Sequence, residues 1–171
     1  MRKQKGFSLI ELLIVIAIIL IIAAIAIPSL LRSRMLANQS AAAQTVRTLV
    51  TAQSTYLSTY GIQVGYSPNI LALGSAAPCN PLVPATAAAA CLIDPVLAAG
   101  NKGGYNFNTQ SGNAVAPNGP INFIISAWPQ AVTTGNVSYC ATDEGVVWFL
   151  TPPGNAAVAF PGPCPGLVLQ N

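Results

Sequence analysis

Phe7-Ser8-Leu9-Ile10-Glu11-Leu12-Leu13-Ile14-Val15-Ile16-Ala17-Ile18-Ile19-Leu20-Ile21-Ile22-Ala23-Ala24-Ile25-Ala26-Ile27 is a run of 21 residues in which only Ser8 and Glu11 are polar. As a helix it would extend about 31 Å, which matches the hydrocarbon thickness of a bilayer. Ahead of it lies Met1-Arg2-Lys3-Gln4-Lys5-Gly6, whose three cations favour retention of this end in the cytoplasm, with the chain beyond the span on the other side. Arg32 and Arg34, just past the span, weaken that charge contrast without reversing it.

Three readings of this segment compete. A secretory signal would have a basic start, a shorter apolar core and a small-residue cleavage site, for which Ala24-Ile25-Ala26 is a candidate. The uninterrupted apolar stretch Leu12–Ile27 is long for that, and a carboxylate stands before it. A simple anchor explains the length but leaves Glu11 without a purpose. An acidic residue at the centre of a membrane helix costs about 2.5–3.5 kcal/mol and less near an end, so it normally has a partner. The apolar run contains no cation to supply one.

The third reading comes from a resemblance. Gly6-Phe7-Ser8-Leu9-Ile10-Glu11-Leu12-Leu13-Ile14-Val15, followed by Ala23-Ala24-Ile25-Ala26-Ile27-Pro28, resembles the amino terminus of type IV pilins and the related pseudopilins, over residues 1 to about 34. The resemblance implies cleavage after Gly6 by a prepilin peptidase, N-methylation of the new terminal Phe7, and retention of the apolar helix. It also gives Glu11 a partner: the terminal amine of a neighbouring subunit, which makes the carboxylate a register for assembly. A paired charge is tolerable in low dielectric where a lone one is not. Leu20 departs from the family, many of whose members have Gly there and melt locally during assembly; Leu favours helix by about 1 kcal/mol. Pro28 removes one helical hydrogen bond and is expected to kink the helix.

Beyond Pro28 the pattern becomes amphipathic. Val46, Leu49, Val50, Gln53, Tyr56, Leu57 and Tyr60 recur at helical spacing, Leu31, Met35 and Leu36 begin the same stripe, and Gly61 is a natural stop. One helix of about 54 residues is the economical reading, with residues 7–28 as membrane and assembly segment and 29–60 as a stem. Residues 61–171 would form the head. Within it, residues 61–104 read as a variable connector, with Pro84–Cys91 a loop and Leu92–Leu97 a short turn. Strand-like runs follow at Tyr105–Asn108, Ile121–Trp128, Val137–Ala141 and Val146–Leu150, the last two joined by the turn Asp143-Glu144-Gly145. The expected fold is therefore α+β: a long amino-terminal helix packed on a small antiparallel sheet, as in type IV pilins.

Four cysteines, Cys79, Cys91, Cys140 and Cys164, allow three pairings. Cys79–Cys91 and Cys140–Cys164 are favoured, since each staples an irregular Pro-rich loop and contributes about 3 kcal/mol. The second is also what the resemblance implies, a disulfide-closed carboxy-terminal loop over residues 140–164. With no His and four carboxylates in the chain, a His-based triad, a His-ligated metal and a cofactor site are all unpromising, and no enzyme is expected. Asn38-Gln39-Ser40 and Asn136-Val137-Ser138 match a glycosylation triplet, which is short enough to arise by chance.

The net charge of +3 belongs to the leader: of seven cations and four acids, removing Arg2, Lys3 and Lys5 leaves four of each. No basic surface remains to attract nucleic acid. The expected function is a structural subunit of a type IV pilus, polymerising with copies of itself after residence in a bacterial inner membrane. By resemblance, its partners include a prepilin peptidase, an assembly platform and cytoplasmic ATPases, and the filament would serve motility, adhesion or DNA uptake. The alternatives are a pseudopilin of a type II secretion system and, more distantly, a membrane-anchored periplasmic binding module.

Overall fold

The apolar run and the amphipathic stripe are carried by one element. In the computed structural model, which describes residues 6–75, 79, 84–112, 119, 121–150 and 168–169, α1 runs from Leu9 to Val64. Arg2, Lys3 and Lys5, and Cys164 of the expected second disulfide, lie outside the described residues. Contacts divide the chain into two compact units, Met1–Arg34 and Met35–Asn171.

In the first unit the side chains of α1 have no core to enter. From Phe7 to Leu31 every Leu, Ile and Val is exposed, on all sides of the helix. A helix that is apolar all round belongs in lipid or among other helices. Pro28 lies inside α1, which continues on both sides of it.

In the second unit α1 presents a single stripe: Gln39, Ala42, Ala43, Val46, Leu49, Ala52, Gln53 and Tyr56 are buried. The stripe starts later than the sequence pattern suggests, because Leu31 and Leu36 are more than half exposed. It also uses small residues, three alanines, that let the sheet approach closely. Nor does Gly61 end the helix. It is buried within α1, where a Cβ would run into Leu57 of its own helix. The stop comes at Gly65, whose N–H bonds back to the Gly61 carbonyl at 3.1 Å and whose φ of +71° is the left-handed conformation that glycine adopts at little cost.

The sheet has six antiparallel strands in strictly sequential order: β1 (Asn101–Lys102), β2 (Tyr105–Ser111), β3 (Phe123–Pro129), β4 (Ser138–Thr142), β5 (Val147–Leu150) and β6 (Val168–Leu169). Register sets Phe107 opposite Ala127, Ala127 opposite Tyr139, and Ala141 opposite Val147, so one face is continuous across four strands. That face packs with the stem stripe into one core cluster containing Tyr105, Phe107, Phe123, Ile125 and Tyr139. The central strand β3 is buried on both faces over most of its length. The turn at Asp143-Glu144-Gly145 forms as its composition suggests: the Gly145 N–H reaches the Thr142 carbonyl at 2.9 Å with φ at +75°, within a four-residue hairpin loop (143–146) that contains a left-handed glycine.

The connector is more ordered than a loop. It holds two single-turn helices, α2 (Ile70–Leu73) and α3 (Pro95–Ala98), each started by an Asx cap: Asn69 accepts from the Ala72 N–H, and Asp94 from the Leu97 N–H. Thr86–Ala89 is a bridged turn.

Candidate functional site at the start of α1

Gly6 and Phe7 are exposed, Phe7 to 88%, and no atom outside the adjoining chain comes within 4 Å of where a Gly6 Cβ would stand. The Gly6–Phe7 junction is thus open among the described residues. Immediately after it, Ser8 precedes the first helical residue and Glu11 lies three positions on. The Ser8 N–H donates to Glu11 Oε2 at 2.9 Å, which is half of the reciprocal arrangement of a capping box. Glu11 also sits in the first turn, where the helix dipole favours a negative charge by about 0.3–1 kcal/mol. An ionised carboxylate has about four acceptor positions, so one N–H leaves room for a cationic donor. The S-x-x-E spacing is visible in the sequence, although Glu11 alone draws attention there.

Two further sets of contacts fix the head to the stem. The first is a buried amide. Gln53, fully buried, donates through Nε2 to the Ser67 carbonyl (3.2 Å) and Thr109 Oγ1 (3.0 Å), while its Oε1 accepts from the Ser67 N–H (2.9 Å). It ties the stem, the chain after α1 and β2 together with each of its polar atoms used, the condition under which a buried polar network rigidifies a core. Gln53 stands in the amphipathic stripe like an apolar residue, and nothing in the pattern distinguishes it.

The second set holds the β3–β4 loop. Asn38 donates to the Thr134 carbonyl at 3.4 Å, and Gln39 donates to Asn136 Oδ1. Both asparagines of the two glycosylation triplets thus serve as struts between stem and loop. Behind them, Gly135 leaves room for the Tyr105 hydroxyl, which donates to the Val137 carbonyl at 2.9 Å; a Cβ at Gly135 would overlap that hydroxyl. Burial, reinforced by the Tyr139 hydroxyl nearby, pushes the Tyr105 phenol well above its ordinary value, so it stays a neutral donor.

Cys79 and Cys91 form a disulfide with Cα atoms 5.9 Å apart. Cys91 has φ at +55°, uncommon for a residue with a Cβ. Its neighbours run along α2: the Ala90 N–H reaches the Ala72 carbonyl at 2.9 Å and the Leu92 N–H that of Leu73 at 2.8 Å. The bridge therefore joins Cys79 to a segment that is hydrogen-bonded along α2. Cys140, fully buried in β4, is also disulfide-bonded.

Residues 1–27 match a family model described as the prokaryotic N-terminal methylation motif. The chain is 39% identical over 108 residues to the type IV wide pilus major component PilA4 of Thermus thermophilus, covering 61% of this chain and 79% of that one. It is also 39% identical over 72 residues to the type IV major pilin PilA of Myxococcus xanthus, covering 39% of this chain and 33% of the relative. No solved structure matches it. An N-terminal methylation motif that takes in much of an all-round apolar helix, a striped stem on an antiparallel sheet, and this likeness along most of a pilin's length lead to one conclusion: the chain belongs to the type IV pilin family.

Proposed function

We propose that the chain is a prepilin whose mature form is a structural subunit of a type IV pilus. The observation that carries this reading is the contrast between the exposed, uniformly apolar first half of α1 and the single carboxylate at its start. Such a helix is stable in a bilayer and equally stable among copies of itself, so transfer from lipid to filament exchanges one apolar environment for another. The driving force is modest, and direction comes from helix packing, polar pairing and contacts between heads.

In this scheme a prepilin peptidase cuts between Gly6 and Phe7, and Phe7 is methylated on its new amine. That amine then meets the Glu11 carboxylate of a neighbouring copy. Before cleavage no such amine exists, so only processed chains can make the pair. Pro28 supplies a bend in the helix, and the Cys79–Cys91 and Cys140–Cys164 bridges hold the surface loops of the head. The precursor spans the inner membrane with its leader in the cytoplasm, and a platform with ATPases extends the filament. The pilus serves motility, adhesion or DNA uptake; no catalytic role is proposed. A type II pseudopilin shares the leader and helix, but both relatives are named as pilus components.

Mass spectrometry of the mature chain, together with filament yield from a Glu11→Ala variant, tests the proposal. Methylated Phe7 as first residue and loss of filaments with the head still folded are expected. A mature chain starting at Ile27 would overturn the prepilin reading, and normal filaments from Glu11→Ala would overturn the pairing role of Glu11.

A further inference from the structure

Side-chain charges in this chain are few enough to follow individually. Among the described residues the ion pair is Lys102 with Asp94, 2.7 Å apart, and Glu11 is engaged by the Ser8 N–H. In the second unit this leaves Arg47 on the stem and Asp143 with Glu144 in the β4–β5 turn, all exposed and none in an ion pair. Arg47 lines an open groove of about 320 Å³ between stem and sheet, together with Ser40, Gln44 and Tyr139. Ser40 and Gln44 add neutral hydrogen-bonding groups, and among the described residues no carboxylate lines the groove. Its chemistry suits a negatively charged, protruding element.

The acidic turn is such an element. Its backbone is set by the left-handed Gly145, and the two adjacent carboxylates stand at its tip. It belongs to a different part of the head from the groove. Asp143 is four residues beyond the groove-lining Tyr139, about 13 Å along an extended strand. Its carboxylate instead bears on Tyr66, just past the end of α1, whose hydroxyl it helps to push upward after burial.

We infer that in the filament the Asp143-Glu144 turn of one copy docks in the Arg47 groove of another, which deepens the pilin reading and rests on it. Groove and turn are distinct surfaces, so the contact is heterologous. Each copy that offers its turn keeps a groove free, and the assembly stays open-ended, as a filament requires. The pairing also gives Arg47 an acidic partner that a single chain does not supply, with one carboxylate of the turn in excess. Where Glu11 would set the register of the helices, this contact would set the register of the heads.

The test is a charge swap in the full-length chain in its cells, measured as sheared filament relative to membrane-bound subunit. Arg47→Glu and the double change Asp143→Lys/Glu144→Lys should each lower filament yield by about tenfold, and the combined swap should restore it to within about threefold, since opposed charges are attractive in either order. Arg47→Gln is a milder control for folding and should lie between. Filament yield unchanged in the two reversals, or a swap no better than either of them, would overturn the contact. Filaments from the unmodified chain test the pilin reading itself; only the ratio of variants to that chain tests the contact.

Discussion

The two halves of α1 are both rich in apolar residues but spend them differently. From Phe7 to Leu31 large aliphatic side chains cover the whole circumference and all are exposed; from Gln39 to Tyr56 a single stripe is buried, with alanines among its members. A helix with one apolar stripe has its partner specified within its own chain, whereas one that is apolar all round must find its surroundings elsewhere. What separates the two cases is how the apolar side chains are distributed around the axis. The same chain therefore contains a segment whose environment must be supplied and a segment that makes its own.

That contrast is most easily broken at Leu49, fully buried between stem and sheet. Leu49→Ala should destabilise the head by about 2–5 kcal/mol, read as a lower melting temperature of the detergent-solubilised full chain. Ile16→Ala, which removes a side chain from the exposed half, should leave head melting unchanged. Equal effects at the two positions would dissolve the distinction. Next comes Gln53→Leu, which keeps the bulk but leaves the Ser67 N–H without its acceptor and should cost about 1–3 kcal/mol; urea denaturation of the same preparation measures it. Gly135→Ala displaces the Tyr105 hydroxyl from the Val137 carbonyl and should cost about 1–2 kcal/mol, visible as a shifted Tyr105 resonance and a lower denaturation midpoint.

The smallest effect is electrostatic. The hydrogen bond from Lys102, above all, holds the Asp94 carboxyl below its ordinary range, with the Leu97 N–H helping and partial burial opposing. Because the folded pKa is depressed, the stabilisation is present above the unfolded value of about 3.9 and is lost as pH falls through the lower folded value. Both side chains of the pair are nearly half exposed (46% and 44%), so screening keeps the contribution below about 1 kcal/mol. Asp94→Asn should flatten the acid limb of a stability–pH curve by no more than that.

The long helix, its apolar first half and the strands from Tyr105 to Leu150 were legible because each depends on repeated side-chain pattern over many residues. The hairpin at Asp143-Glu144-Gly145 was legible because a left-handed position selects glycine. The elements that escaped are short and held by partners distant in sequence or by caps. β1 is two residues pairing with β2, and α2 is one turn fixed by Asn69. Gly61 misled because glycine permits two opposite things, a left-handed stop and a helical position with little room for a Cβ; only the neighbouring Leu57 shows which applies. At the candidate site, Gly6, Phe7 and Glu11 stood out by motif and by the cost of a charge in an apolar run. Gln53 could not stand out, since its role depends on Ser67 and Thr109, which folding brings to it.

The sequential order of the sheet has a kinetic meaning. Each strand from β2 to β5 pairs with the one made immediately before it, so this part of the sheet can be laid down in chain order, with no wait for a distant strand to return. Local pairings of this kind carry little loop-closure cost and favour rapid folding. A chain held by its first helix while the rest is still emerging can add strands in the order of synthesis, so that its exposed edge at any moment is the one its next segment will cover.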